Sequence, residues 1–203
     1  MIIGKWNRSV IITYLGMISA VFGMYLAMVM DEPRYAYACL MVSGVCDLFD
    51  GMVARKVKRD EQEKAFGVQL DSLVDVISFI ALPITVFVAS GLNDIWYIPL
   101  FAVFAISGIA RLAYFNIMTA DTEGPVEFYT GLPVTYSALI FPIVYLTNLV
   151  FDDLVFKIIY CVAILVYSVL GVLRINIYKP RGIAYVFFGL LAIGLLAVFL
   201  FVI

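Results

Sequence analysis

The sequence predicts an all-α fold, a polytopic bundle of about seven transmembrane helices that makes one integral-membrane catalytic domain of residues 1–203. Composition is the first reason. Of the 203 residues, 65% are hydrophobic and 14% are charged, and the mean hydropathy is +1.07, whereas a soluble domain of this size needs far more surface charge. The second reason is the length of the apolar runs, which reach the roughly 20 residues that a membrane-spanning helix requires.

Short polar segments separate the apolar runs and mark where each predicted span begins and ends. Asp47 and Asp50 lie near the far end of the second span, and Asp71 and Asp75 lie in the first turns of the third. No sequence repeat and no separate soluble domain interrupts the pattern. The predicted spans comprise residues 10–30, a run that starts near residue 35, and residues 66–90, 95–117, 133–150, 154–175 and 184–203.

The distribution of basic residues predicts a cytoplasmic N-terminus. With seven spans, only Arg34 and Lys157 of the 13 lysines and arginines fall on the side opposite the N-terminus. Basic residues concentrate in the cytoplasmic loops of membrane proteins. The four aspartates are therefore expected at or just below the cytoplasmic surface of the cell membrane, where soluble substrates reach them.

Burial of a carboxylate within a membrane is energetically unfavourable, so the four aspartates of this apolar chain indicate a functional site. Asp47 and Asp50 share one helix face, and Asp71 and Asp75 share a face of the next helix, because they are spaced by three and four residues. Antiparallel helices would bring all four to one level, where they repel one another. Two divalent cations would cancel that charge, and paired metals are the usual clamp for displacement at phosphorus.

Two other interpretations of the aspartates remain. The carboxylates could form salt bridges with the basic loop of residues 55–64, or they could belong to an ion transporter with an acidic site. A transport pathway needs acidic residues in several spans, and the later apolar runs contain none.

Several function classes are excluded by residue counts. The chain has no histidine, which rules out a Ser-His-Asp triad. Its three cysteines lie in apolar runs and form neither a disulfide framework nor a zinc spacing. The basic residues cluster at loops beside the spans, so no nucleic-acid partner is expected.

A stripe of small residues runs down the first span at helical spacing: Thr13, Gly16, Ser19 and Gly23. Such a stripe allows close packing of two helices. It can also form a wall that lets a flat ligand, such as a nucleobase, approach the backbone.

The aspartate region resembles the signature of the CDP-alcohol phosphotransferase family. Its pattern is D-x2-D-G-x2-A-R-x11-G-x3-D-x3-D, in which the family's usual spacing between the arginine and the second glycine is shorter. The resemblance implies a six-helix core, here with one additional span, a homodimer, and two divalent cations, Mn²⁺ or Mg²⁺. The matching residues are Asp47, Asp50, Gly51, Ala54, Arg55, Gly67, Asp71 and Asp75.

The resemblance also implies roles for individual residues. Asp47, Asp50, Asp71 and Asp75 would bind metal, and Asp75 would also be the general base. The residues expected to bind the CDP-lipid are Asp50, Gly51, Ala54, Arg55 and Gly67, together with Thr13, Gly16 and Arg111.

Two later segments, GIARLAYFNI from residue 108 and FYTGLPV from residue 128, are most similar to the serine-using branch of the family. That branch transfers a phosphatidyl group from CDP-diacylglycerol, or its CDP-archaeol counterpart, to L-serine and releases CMP. Arg111 is the candidate clamp for the serine carboxylate or the diphosphate, or else a membrane-interface residue. Asn116, Thr130 and Gly131 are further candidates to bind serine, although Gly131 also fits a turn before the fifth span. Glycerol phosphate and inositol phosphate are the alternative acceptors.

Overall fold

A computed structural model of the chain describes Gly4 and residues 10–57, 59–120, 128–178 and 183–203, with residues 52, 55, 56, 119, 120, 178 and 183–186 described by their backbone alone. Within these ranges the chain forms seven helical rods, one for each predicted span, and the all-α fold class is confirmed. One rod consists of α3, a π-helical segment at Ile77–Ala81, and α4. The helices are α1 (Ile11–Met28), α2 (Pro33–Lys56), α3 (Glu61–Val76), α4 (Leu82–Ala89), α5 (Ile98–Ala120), α6 (Ser137–Tyr145), α7 (Asp153–Val172) and α8 (Ile183–Phe201).

Four of these rods are long and apolar enough to cross a membrane, and they indicate an integral membrane protein. Short 3-10 turns extend two of the helices: Ile95–Tyr97 precedes α5, and Val134–Tyr136 and Leu146–Leu149 flank α6. The four long apolar segments are Ile11–Met28, Glu61–Ala89, Ile95–Met118 and Asp153–Val172.

The rod that carries Asp71 and Asp75 begins at Glu61 rather than near residue 66. Asp60 caps it, because its side chain accepts a hydrogen bond from the Glu63 backbone N–H at 2.6 Å. The Glu63 side chain in turn accepts one from the Asp60 N–H at 2.9 Å. This reciprocal capping box satisfies N–H groups that would otherwise lack partners. The capping box therefore stabilises a polar first turn of α3 that precedes the apolar span predicted from residue 66.

A two-stranded antiparallel ribbon, absent from the sequence prediction, joins two distant loops. Strand β1 (Phe128–Thr130) pairs with β2 (Asn176–Tyr178), and Thr130 lies opposite Asn176. Gly131 follows β1 with a φ of +75°, and its N–H donates to the Ile175 carbonyl at 2.9 Å. A Cβ at Gly131 would collide with the carbonyl oxygen of Gly171. Glycine is therefore required by both backbone conformation and space.

The small residues of α1 pack directly against α2. A Cβ added to Gly16 would lie 3.1 Å from the Cβ of Cys46, and one added to Gly23 would lie 2.8 Å from that of Cys39. The Ser19 hydroxyl also donates to the Cys39 carbonyl at 3.0 Å. The stripe thus serves close helix packing along its length. Its N-terminal part, Thr13 and Gly16, also faces the site described below.

The other half of the bundle is held by an aromatic core from α4, α5, α6 and α7. The Phe87 ring centroid lies 4.7 Å from Phe141 and 5.3 Å from Tyr160 in edge-on geometry, and Phe104 lies 5.6 Å from Phe141. Edge-on pairs at these distances add to the energy of burial. These contacts hold α4, α5, α6 and α7 together.

Candidate metal and substrate site

Three aspartates from two neighbouring rods converge at one point. Asp47 of α2 and Asp71 and Asp75 of α3 each offer a carboxylate oxygen, and these oxygens lie within 4.8 Å of one another. Asp75 is buried, with 8% of its surface exposed, and the other two are partly buried. Three carboxylates at this spacing form an oxygen-donor set that fits a hard divalent cation.

The fourth aspartate, Asp50, lies at the same cleft and is oriented by α1. Its carboxylate accepts a hydrogen bond from the Thr13 hydroxyl at 2.8 Å and also approaches the carboxylate of Asp71. Asp50 is 7% exposed. The structure therefore brings all four predicted aspartates together, with Asp50 fixed by a partner on a third helix.

These residues line a cleft, which we call the aspartate cleft. Its empty space, including the part that is open to solvent, is about 200 Å³. Its lining adds three polar residues that the sequence analysis did not select: Ser43, Cys46 and Ser78. Each lies three or four residues from an aspartate on its own helix, so helical periodicity was the signal that could have identified them. The lining residues are Thr13, Gly16, Ser43, Cys46, Asp47, Asp50, Asp71, Val74, Asp75, Ser78 and Phe79.

Arg111 of α5 lies close enough to Asp75 and Asp47 for charge–charge attraction. It is 7% exposed, and its Nε has no hydrogen-bond partner among the described residues. The guanidinium carbon lies 5.2 Å from the centre of the Phe115 ring and 5.9 Å from that of Tyr129. A buried cation with an unused donor beside carboxylates is suited to an anionic ligand. Snorkelling to the membrane surface does not describe a side chain buried to this extent.

Tyr129 is a further residue that the sequence analysis did not select. It belongs to β1, which pairs with β2, and its ring centroid lies 5.9 Å from that of Phe115 in the last part of α5. Its position two residues before the turn glycine was a weak signal, because the ribbon depends on a segment far along the chain.

The remaining candidates for serine binding have structural partners. The Asn116 amide donates to the Ser72 hydroxyl at 2.8 Å, and the Ser72 hydroxyl donates to the Asn116 oxygen at 3.1 Å. This pair ties α5 to α3 beside Asp71. Thr130 is in the ribbon, and Gly131 forms the close turn against α7.

The candidates for CDP-lipid binding divide into two groups. Thr13, Gly16 and Asp50 line the aspartate cleft. Gly51, Ala54 and Gly67 lie on α2 and α3 beyond that lining. A Cβ at Gly51 would meet no atom within 4 Å, so α2 leaves open space there. One added to Gly67 would lie 3.2 Å from a guanidinium nitrogen of Arg59. The Arg55 side chain lies outside the described part of the chain.

The fold and the clustered aspartates define a membrane-embedded protein with an acidic centre, and the sequence places it in a known family. The family model described as CDP-alcohol phosphatidyltransferase matches residues 6–173. The chain therefore belongs to the CDP-alcohol phosphatidyltransferase family. The match includes α1 to α7, and α8 lies beyond it.

Comparison with curated proteins finds relatives in yeast, archaea and bacteria. The chain is 32% identical over 138 residues to a CDP-diacylglycerol–serine O-phosphatidyltransferase of Saccharomyces cerevisiae, covering 63% of this chain and 49% of that protein. It is 35% identical over 139 residues to an archaetidylserine synthase of Methanothermobacter thermautotrophicus, covering 66% and 57%. A Helicobacter pylori CDP-diacylglycerol–serine O-phosphatidyltransferase is 33% identical over 131 residues, covering 63% and 50%. The chain thus spans about half the length of the curated relatives it matches.

Proposed function

We propose that this protein transfers a phosphatidyl group from CDP-diacylglycerol, or its archaeal counterpart CDP-archaeol, to the hydroxyl of L-serine and releases CMP. The observation that carries the proposal is the group formed by Asp47, Asp71 and Asp75, with oxygens within 4.8 Å, beside the buried Arg111. The names of the relatives support the choice of donor and acceptor.

Divalent cations fit the acidic centre, and two Mn²⁺ or Mg²⁺ ions are proposed. Asp47, Asp50, Asp71 and Asp75 would hold them. When bound, such cations supply positive charge that binds the donor's diphosphate and stabilises the CMP leaving group. Thr13 keeps the Asp50 carboxylate turned toward the centre through its hydrogen bond.

Asp75 is proposed to act as the general base as well as a ligand. It accepts the proton of the serine hydroxyl while that oxygen attacks the lipid-side phosphorus. A new serine O–P bond forms, and the bond from that phosphorus to the oxygen of CMP breaks, so the electron pair leaves with CMP. A hydroxyl is a weak nucleophile without such a base. One displacement completes the reaction, and no covalent enzyme intermediate is required.

Arg111 is proposed to bind the serine carboxylate, because it lies beside Asp75, where the acceptor hydroxyl must be placed. Its fork of N–H donors matches a carboxylate, and its central carbon lies 5.2 Å from the Phe115 ring centre and 5.9 Å from that of Tyr129. A phosphate-bearing acceptor, such as glycerol phosphate or inositol phosphate, would require several cations at the cleft. Arg111 supplies one cation beside Asp75 and Asp47, which matches the single carboxylate of serine.

The proposed setting is the cell membrane, with the aspartate cleft open to the cytoplasm and residues 1–203 forming one domain. The bias of basic residues toward the N-terminal side of the membrane supports this orientation.

We also propose that two copies of the chain associate, as the family resemblance implies. Chemical cross-linking in native membranes tests the dimer, and reporter fusions to the α2–α3 loop test the orientation.

Purified protein assayed for CMP release tests the proposed reaction. We expect release that requires CDP-diacylglycerol, Mn²⁺ or Mg²⁺, and L-serine, with no comparable release when glycerol phosphate or inositol phosphate replaces serine. Asp75→Asn should lower the rate by about 10² to 10⁴-fold at saturating metal. Asp153→Asn, an exposed change in α7, is the matched control and should keep the wild-type rate.

Three results would contradict the proposal. Near wild-type rates in Asp75→Asn would remove its role as base. Faster CMP release with a phosphate-bearing acceptor than with serine would change the acceptor. An ion flux through the reconstituted protein without any CMP release would identify an acidic transporter instead.

A further inference from the structure

Ser78 places a buried hydroxyl group in the wall of the aspartate cleft. It is 1% exposed, and its Oγ has no hydrogen-bond partner among the residues that the structure describes. A buried hydroxyl group without a partner is unfavourable, because it has lost its hydrogen bonds to bulk water and gained none in return. The Ser78 hydroxyl therefore requires a partner that the described side chains and backbone do not supply.

Other hydroxyl groups within the helices are satisfied by the helix backbone. Ser107 donates to the Phe104 carbonyl at 2.9 Å, and Ser168 donates to the Ile164 carbonyl at 2.7 Å. Such a bond to a carbonyl three or four residues earlier satisfies a buried hydroxyl group without any ligand. Ser78 forms no bond of this kind with a described carbonyl. Its hydroxyl group is therefore available to a molecule that enters the cleft.

Ser78 lies one helical turn from Asp75, and both residues line the cleft. It is the second residue of the π-helical segment Ile77–Ala81, and the rod continues from there into the apolar α4. Side chains three residues apart on a helix have Cβ atoms about 5–6 Å apart. A single water molecule can bridge a hydroxyl group and a carboxylate over such a distance, because it makes one hydrogen bond to each.

The inner end of the cleft, which we define by Ser43, Ser78 and Phe79, is lined by buried residues. The Ser43 hydroxyl donates to the Gly16 carbonyl at 2.8 Å, so its donor is already used. Ser78 supplies an unused donor at this end. A small enclosed position beside polar groups that lack partners is where buried water binds in proteins. Water also donates, which a neighbouring carboxylate requires.

We propose that a water molecule binds at the inner end of the aspartate cleft, accepts a hydrogen bond from the Ser78 hydroxyl and donates one to the Asp75 carboxylate. Ser78 is then a positioning residue, which acts through the water on the carboxylate that takes the proton of the acceptor. Arg111 attracts the same carboxylate from α5. A carboxylate accepts several hydrogen bonds, so the water leaves positions on Asp75 for a cation and for the acceptor hydroxyl. This inference rests on the proposed function, in which Asp75 is the general base.

Ser78→Ala removes the donor that holds the water and tests its effect on the reaction step. At saturating substrates and Mn²⁺, the single-turnover rate of CMP formation should fall by about tenfold or more, as it does when other groups that orient a ligand are lost. The KM for CDP-diacylglycerol and the KM for L-serine should stay unchanged, because the Ser78 hydroxyl contacts neither substrate.

Ser168→Ala is the matched control. Ser168 is also 1% exposed, but it lies on α7 outside the cleft lining. It should keep the wild-type rate, and Ser78→Ala should unfold at a thermal midpoint no lower than that of Ser168→Ala. An unchanged rate in Ser78→Ala would overturn the inference, and so would a lower midpoint, which would show that Ser78 supports the fold. A higher KM for serine with an unchanged rate would also overturn it, since the hydroxyl would then bind the acceptor.

A structure of the wild-type protein with Mn²⁺, at a resolution that shows ordered water, tests the site without turnover. A water should lie within hydrogen-bond distance of the Ser78 Oγ and of an Asp75 carboxylate oxygen, and it should be absent from Ser78→Ala. A cation bound to the Ser78 Oγ, an empty position there, or a water that persists in Ser78→Ala contradicts the inference. An ordered water at this position in a protein that releases no CMP with any acceptor contradicts the proposed reaction alone.

Discussion

The Thr13 hydroxyl of α1 donates a hydrogen bond of 2.8 Å to the Asp50 carboxylate of α2 in the interior of the bundle. The other three aspartates come from α2 and α3, so through this bond α1 orients a carboxylate of the acidic centre. A residue that orients a metal ligand affects metal affinity without touching the metal. The first helix is therefore expected to contribute to activity as well as to packing.

Removal of the Thr13 hydroxyl tests this contribution. Thr13→Val keeps the side-chain shape but leaves Asp50 without its donor. We expect the Mn²⁺ concentration for half-maximal CMP release to rise by about tenfold or more, because outer-shell partners of ligands have effects of this size. Thr13→Ser, which keeps the donor, should restore the wild-type value.

Ser19→Ala is the matched control for Thr13→Val. It also removes a hydrogen bond from α1 to α2, the one from Ser19 to the Cys39 carbonyl, but away from the aspartates. Both variants should lose about 1 kcal/mol of stability. Only Thr13→Val should alter the metal requirement, and an equal change in the two would show that helix packing alone is responsible.

Metal removal should abolish activity and not the fold. We expect EDTA to stop CMP release and added Mn²⁺ or Mg²⁺ to restore it, because the carboxylates repel one another and the diphosphate without cations. Equilibrium dialysis with Mn²⁺ should show two ions bound per chain, and Asp71→Asn should bind fewer. Full activity in EDTA, or unchanged Mn²⁺ binding in Asp71→Asn, would contradict this assignment.

Arg111→Lys should raise the KM for serine by about tenfold or more and leave the KM for CDP-diacylglycerol unchanged. Lysine keeps the charge but loses the planar fork of donors, and its ammonium replaces the flat guanidinium that lies near the Phe115 and Tyr129 rings. Steady-state kinetics with each substrate varied in turn make the distinction. The opposite pattern would assign Arg111 to the diphosphate. Arg174→Lys, an exposed change at the end of α7, should alter neither KM.

Gly131→Ala should lower the stability of the protein by about 2 kcal/mol or more, because alanine at a φ of +75° is strained and its Cβ collides with Gly171. The measurement is the thermal unfolding midpoint in detergent. Gly171→Ala is the matched control, since a Cβ there meets no atom within 4 Å and alanine favours a helix. It should keep or raise the midpoint. Equal midpoints in the two variants would show that the turn tolerates a side chain.

Local spacing made much of the acidic centre predictable. Asp47 and Asp50, and Asp71 and Asp75, share helix faces because helical periodicity is set by neighbouring residues. The capping box at Asp60 was also visible in the sequence, as an aspartate three residues before a glutamate. Hydropathy predicted that this helix begins near residue 66, whereas it begins at Glu61, because the first turn of α3 is polar.

Contacts between distant segments were not predictable in this way. The pairing of β1 with β2, the cation–π contact of Arg111 with Tyr129 and the bond between Ser72 and Asn116 each join residues from different elements. The spacing within one segment contains no information on which segment it will meet. Asn116 was therefore predicted to bind serine because of its neighbours in the sequence, whereas in the structure its side chain is hydrogen-bonded to Ser72 of α3.

The π-helical segment Ile77–Ala81 connects the acidic end of its rod to the aromatic end. A π turn contains about one more residue than an α turn, so it accommodates one extra residue while the helices on either side keep nearly the same relative orientation about the rod axis. Deletion of one residue within this segment would therefore leave a continuous α-helix in which Asp75 and Phe87 still point in nearly their present directions. A deletion between Asp71 and Asp75, in regular α-helix, would instead turn these two carboxylates by about 100° relative to each other. The π-helical segment should thus tolerate the loss of one residue better than the turn of α3 that carries the metal ligands.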